Sequence, residues 1–251
     1  MDQATKQNFS LSEYDEMLSE FIGSGYQTVS FAEAAPDEQH LVLRHDVDFD
    51  LDAALTMAEL EADRGISASY FILLRTEFYN IYTRHGTDVI RRLTALGHDV
   101  GLHFDPAFHQ DEDTDLAAEA AKECDLLATV ADQAVGVFSF HRPPQELLAE
   151  SLEVPERINA YDARYFRDMG YCSDSRGAWL HGHPLDSDAF AKEEALQLLT
   201  HPIWWPERRE NNSQRRLTDY LARRVETLDV ELARNCQSYQ SGETRLIKAD
   251  D

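Results

Sequence analysis

Short apolar runs alternate along this chain with longer amphipathic stretches, and this alternation constrains the fold more than any other feature. Leu41-Val42-Leu43 is a strand candidate running into Arg44-His45-Asp46-Val47-Asp48. Residues 51–64 read as a helix with Leu51, Leu55, Ala58 and Ala62 on one face, stopped by Gly65. Ser69 to Leu74 is a second strand. Val89, Ile90, Leu93 and Leu96 mark the next helix, ended by Gly97. His98 to His103 is a third strand, and residues 114–131 form an Ala-rich helix with Thr114 expected as its N-cap. Val135 to Phe140 is a fourth strand, cut off by Pro143-Pro144. Tyr171-Cys172-Ser173 and Leu196 to Thr200 are further strands. The 213–234 stretch reads as a helix, with Leu217, Leu221, Val225 and Leu228 spaced for burial. Strand–helix alternation of this kind implies parallel strands joined by crossover helices.

The chain has 251 residues, 43% of them apolar and 28% charged, enough for one sizeable core. Acidic residues number 47 against 23 basic ones, a net charge of −24. A surface this negative repels phosphate backbones and anionic lipid, so neither nucleic acid nor membrane is expected as a partner. Lys6, Lys122, Lys192 and Lys248 are the only lysines, a bias that suits a high-salt cytoplasm or equally reflects ordinary acidic drift. Cys124, Cys172 and Cys236 are odd in number and form no CxxC pair, so neither a disulfide framework nor a thiolate zinc site is expected. The stretch from Met1 to Leu18 is polar and acidic, without the apolar core of a signal peptide, and a cytoplasmic location is expected. Glu207 to Asn212 reads as a polar loop, and no domain boundary is assigned within 1–251.

Polar, metal-competent residues stand at the ends of successive strands: Asp46 and Asp48, His103 and Asp105, His141, Asp174, and His201. In a parallel α/β barrel those ends form one face, and that face carries the site. Strand alternation puts Val42, Arg44, Asp46 and Asp48 on one side and His45 and Val47 on the other. Two carboxylates so close need a cation or a shared proton. Gly101, on the same face as His103, is expected to keep the interior open beneath it. One carboxylate with two imidazoles suits a catalytic zinc or another divalent ion.

These segments resemble the motifs of the polysaccharide deacetylase superfamily, carbohydrate esterase family 4 and its intracellular relatives. Arg44-His45-Asp46-Val47-Asp48 stands where the family has Thr-Phe-Asp-Asp, and Gly65-Ile66-Ser67-Ala68-Ser69-Tyr70-Phe71 follows at matching distance. Gly97-His98-Asp99-Val100-Gly101-Leu102-His103 is similar to the family's Gly-His-Glu-Ile-Gly-x-His, Arg142-Pro143-Pro144 to its Arg-Pro-Pro, and Leu198-Leu199-Thr200-His201 to its final strand. The resemblance covers roughly residues 40–205 and implies a single-domain, distorted (β/α)7-type barrel. It implies Asp46 as general base, Arg142 as the residue that orients it, Asp48 and His103 as metal ligands, and His201 as the acid that protonates a leaving amine. The metal would be zinc, with cobalt, iron or nickel as alternatives, and the reaction removal of an acyl group, acetyl above all, from an amide of a sugar or glycan precursor.

Two positions depart from the pattern. The family's second Asp falls on Val47, so the ligand role passes to Asp48. Its second metal His falls on Ala107, leaving His141 or His109 to complete the site, with His141 preferred because a strand end is rigid. These departures keep two other readings open: a hydrolase of non-sugar amides using the same residues, and a catalytically silent relative that binds a glycan or a protein. Asp174 and Trp179 resemble a family segment that walls the substrate groove, and Trp179 with Trp205 would form either an apolar platform for sugar rings or part of the core. His98 reads as structural and outward-pointing. His85, His181 and His183 read as loop residues and not as ligands.

Overall fold

The structure, a computed structural model, describes residues 9–109, 111, 113–149, 151–180, 182–206 and 212–242. His181 and most of the Glu207–Asn212 loop lie outside the described residues. The chain groups into two compact units, 1–207 and 208–251.

Among the described residues, the first unit contains every strand: β1 (Gln27–Thr28), β2 (His40–Val47), β3 (Ser69–Leu73), β4 (Asp99–Phe104), β5 (Val137–Phe140), β6 (Ile158–Asn159), β7 (Gly170–Ser173) and β8 (Leu196–Thr200). Its helices are α1 (Leu11–Gly23), α2 (Leu51–Asp63), α3 (Arg84–Ala95), α4 (Leu116–Ala131), α5 (Gln145–Ala149), α6 (Ala163–Phe166) and α7 (Asp188–Ala191). All strand pairs are parallel, in the order β6-β5-β4-β3-β2-β8-β7, with β1 paired to the start of β2. The sheet curls into a distorted (β/α)7-type barrel, the fold that the resemblance implies. Among the described residues β6 and β7 do not pair, so the ring is open between them. No helix among them is long and apolar enough to cross a membrane.

Local sequence chemistry sets the helix starts. Asp50 caps α2 by accepting from the N–H groups of Asp52 and Ala53, an arrangement typically worth about 1 kcal/mol. Gly65 follows α2 with φ +69°, a conformation that costs most other residues energy. For α4 the cap is Asp115, which accepts from Ala117 and Ala118, and not Thr114 as expected; a carboxylate also favours the positive helix end. Helix α1 and the short strands β1 and β6 carry no counterpart in the sequence reading. Yet α1 has Ser10 as its cap and a buried stripe of Tyr14, Met17, Leu18 and Phe21.

Inside the curl, Phe31, Val42, Phe71, Val137, Tyr165 and Met169 pack as an apolar plug. Gly101 does not leave the interior open as expected. A Cβ there would lie 2.8 Å from two Phe71 ring atoms and 3.0 Å from Val137 Cγ1, so its missing side chain makes room for the plug.

On the outer side of β2, His45 joins a buried polar cluster. Its Nδ1 is 2.6 Å from Thr200 Oγ1 on β8 and its Nε2 is 2.8 Å from Glu61 Oε1 on α2. The hydroxyls of Tyr14 and Tyr70 also donate to Glu61. Burial alone would raise the Glu61 pKa, but His45 and the two hydroxyls hold it below its usual value. His98 does point away from the barrel axis, but it is buried: Nε2 lies 2.9 Å from the Ala58 carbonyl and Nδ1 accepts from Ala68 N–H.

The second unit contains α8 (Ser213–Asn235), capped by Asn212, whose side chain accepts from Arg215 N–H. Past its end the chain folds back, with Tyr239, Ser241 and Gly242 all donating to Asp229. The helix matches the expected 213–234 span, but the burial does not. Leu221 and Leu228 are 48% and 53% exposed, while Arg216 and Tyr220 are buried.

Candidate functional site

The C-terminal ends of β2, β4, β5 and β8 bring together the residues singled out in the sequence. Strand alternation turns Arg44 and Asp46 to the barrel side of β2 and His45 to the helix side. Arg44 is fully buried. It donates from Nε to Asp46 Oδ1 at 2.9 Å and from Nη2 to Asp46 Oδ2 at 2.8 Å. Its remaining donors reach Gln197 Oε1 and the Tyr161 hydroxyl, and the guanidinium lies 4.5 Å from the Tyr161 ring centroid. Burial would push the Asp46 pKa up; Arg44, with His103 behind it, outweighs burial and holds the carboxylate ionised.

Arg44, and not Arg142, therefore holds the expected base. Arg142 is bonded instead to Asp105 Oδ2 at 3.3 Å, its side chain 72% exposed and its backbone at φ +49°. Arg142, two residues past the end of β5 and facing out at the rim, cannot share the interior position that Arg44 fills two residues before Asp46. The alternation that places Asp46 inward was the available signal for Arg44.

Asp48 lies just past β2. Its Oδ1 is buried with no hydrogen-bond partner; His103 Nε2 is 3.2 Å away but poorly aligned. Asp46 Oδ2 is 3.6 Å from the same nitrogen. Burial opposes the charge on Asp48, but the imidazoles of His103, His201 and His141 outweigh it and lower the pKa to about 2. The other nitrogen of His103, Nδ1, is 2.8 Å from Ser139 Oγ on the adjacent β5. His141 follows the same pattern one strand end away, with Nδ1 at 3.2 Å from Asp105 Oδ2 and its ring centroid 5.3 Å from that of His103. Burial, and then the neighbouring His103, keep His141 toward its neutral form. Two imidazoles, each with one nitrogen braced, and a buried carboxylate oxygen that makes no hydrogen bond are residue types that ligate divalent cations. As they stand, no three His, Cys, Asp or Glu side chains among the described residues are grouped closely enough to hold a metal ion. His109 is turned elsewhere, with Nε2 3.4 Å from Glu123 Oε1 and its ring stacked on Phe104.

His201 faces this group from β8, its Nε2 3.9 Å from Asp48 Oδ2. Asp174, at the end of the neighbouring β7, receives the His201 backbone N–H at 3.0 Å on each oxygen, lies 2.6 Å from His201 Nδ1, and accepts from Trp205 Nε1 at 2.8 Å. Burial alone would lower the His201 pKa, but Asp174, followed by Asp48 and Asp46, raises it to about 9. Asp174 is completely buried and saturated by these bonds, so it does not line a groove as expected; it positions His201. Trp179 and Trp205 are also buried, packed on each other and on Phe9, and offer no exposed ring face. The result is one end of the barrel where two ionised carboxylates and two imidazoles face each other, with a protonated third imidazole opposite. Such a set can accept a proton and donate one.

No family model and no curated protein matches the chain. Solved structures do. A family 4 carbohydrate esterase from Bacillus anthracis is similar at 15% identity over 88% of this chain and 90% of its own, with TM-score 0.47. The Streptococcus pyogenes deacetylase PplD, solved with acetate, is similar at 14% identity over 80% of this chain and 86% of its own, with TM-score 0.44. A pseudoenzyme of the same family from Bacillus anthracis is similar at 13% identity over 82% of this chain and 64% of its own, with TM-score 0.40.

Proposed function

We propose that this protein is a divalent-metal-dependent hydrolase that removes an acyl group, in the first instance acetyl, from an amide nitrogen of a sugar or glycan precursor. The observation that carries this reading is the buried Asp48 Oδ1, which makes no hydrogen bond and lies 3.2 Å from His103 Nε2, with Asp174-braced His201 on the far side. Asp48, His103 and His141 would hold the ion, zinc being the first candidate and cobalt, iron or nickel the alternatives. When bound, a divalent ion supplies Lewis acidity for the acyl oxygen and lowers the pKa of water.

The chain's own residues supply the proton traffic. Asp46, kept ionised and fixed in orientation by Arg44, accepts the proton of the attacking water. His201 carries a proton on Nε2 and gives it to the amine nitrogen as the carbon–nitrogen bond breaks. Asp174 keeps the imidazole oriented and charged through Nδ1. Water and amide thus yield a carboxylic acid and a free amine, with acid and base each contributing about 10²- to 10⁴-fold.

Metal analysis of the purified protein, paired with acetate-release assays on N-acetyl sugars and on simple amides, tests the reading. Near-stoichiometric metal that is lost in His103→Ala, with acetate released from the sugars, supports it. Release from simple amides alone moves the substrate to non-sugar C–N bonds. Val47 and Ala107, where the resembling family has a carboxylate and an imidazole, favour a second reading, a silent glycan- or partner-binding relative. Absence of both metal and turnover in a well-folded protein establishes that one.

A further inference from the structure

Helix α8 carries Leu221, Val225, Leu228 and Leu232 at intervals of four, three and four residues, which places them on one stripe. Leu221, Leu228 and Leu232 are 48%, 53% and 52% exposed, and Val225 is half-buried. This spacing is the seam period of two helices packed against each other. The charges along α8 are divided by sequence half. Arg215, Arg216, Arg223 and Arg224 stand against Asp219 in the first half, and Glu226, Asp229 and Glu231 against Arg234 in the second. Arg224 and Glu231 lie seven residues apart on the same flank of the apolar stripe.

We infer that α8 is a self-association surface on which two copies of this chain dock their leucine stripes antiparallel. That orientation sets the basic half of each helix beside the acidic half of the other and brings Arg224 of one copy to Glu231 of its partner. It also opposes the two helix dipoles favourably. Leu221 then packs near the second copy's Leu232, and Val225 near its Leu228. The stripe is short compared with the roughly 1,600 Å² that a standard stable interface buries, so the dimer is weak and depends on concentration. The net charge of −24 on each copy repels at low ionic strength, and added salt strengthens the pairing.

Sedimentation equilibrium of the full chain over a concentration series, at low and at raised salt, tests this. The wild type is expected to show a monomer–dimer equilibrium, and Leu228→Asp to weaken it about tenfold or more with unchanged circular dichroism. Arg224→Glu and Glu231→Arg should each weaken dimerisation about two- to fivefold, and the double swap should restore it, because the pair is remade across the interface. Cys236 is exposed at the end of α8, where only a parallel pair would bring the two thiols together. Ready oxidation to a Cys236-linked dimer overturns the antiparallel arrangement. A wild type that stays monomeric throughout, a Leu228→Asp variant that dimerises as well as wild type, or dimerisation that appears only after removal of residues 243–251 overturns the proposal; the last outcome makes the chain's own end the occupant of the stripe. None of these readings depends on the catalytic assignment.

Discussion

His201 Nδ1 lies 2.6 Å from Asp174 Oδ1, and the backbone N–H of the same histidine is shared between both oxygens of that carboxylate. One side chain just past β7 thus fixes the position of the imidazole that follows β8 and favours its charged form.

Asp174→Asn should therefore bring the His201 pKa down from about 9 toward the ordinary value of about 6.5, read from the imidazole resonances in an NMR titration. A pKa raised on folding contributes stability that is complete below the unfolded value and is lost as pH rises through the folded one. Urea midpoints of the wild type should accordingly fall between about pH 6.5 and 9, and those of Asp174→Asn should be flatter across that window. Identical pH dependence in the two proteins rules out the pairing as its source.

Arg44→Met should destabilise by about 3–5 kcal/mol in urea unfolding, since it strands the buried Asp46 carboxylate. Arg142→Gln, at a mostly exposed side chain, should cost under about 1 kcal/mol. Comparable losses in both would mean that Asp46 draws its support from the rim.

Asp48→Asn and His103→Ala should each lower metal content measured by elemental analysis, and a chelator should lower the wild-type melting temperature but leave both variants unmoved. Asp48 also imposes an acid limit. Its carboxylate is depressed to about 2, so its contribution to stability is present above the ordinary carboxylate range, about 3.9, and disappears as pH falls through about 2. Acid unfolding of Asp48→Asn should lack that component.

Gly101→Ala should cost about 1–3 kcal/mol, because the added methyl group meets the Phe71 ring at 2.8 Å. Combining it with Phe71→Leu should recover part of the loss. An unchanged unfolding midpoint in the single variant would show that the plug yields freely.

The sheet was legible because parallel strands read as short apolar runs, and because period-two alternation assigns each residue of β2 a side. The convergence of Asp46, Asp48, His103 and His201 followed from strand ends alone, a property of topology that needs no side-chain detail. What alternation does not give is partnership. Asp174 could face either substrate or His201, and the choice depends on the backbone turn after β7, which no local pattern encodes. Trp179 and Trp205 read equally well as platform or core until Phe9 and Tyr14, from a terminal stretch read only as polar, packed over them. The leucines of α8 show the reverse error: their period is helical, but periodicity identifies an apolar face without saying what meets it.

Strand β2 carries polar side chains on both sides, Arg44 and Asp46 toward the barrel and His45 toward Glu61. Sliding it by one residue would drive His45 among the plug residues and leave Arg44 stranded beneath α2. A strand with oil on both faces tolerates such slippage cheaply; this one cannot. Polar groups on opposite sides thus act as a two-sided lock on strand alignment, so misthreaded arrangements are penalised by stranded polar groups before any loosened packing is felt.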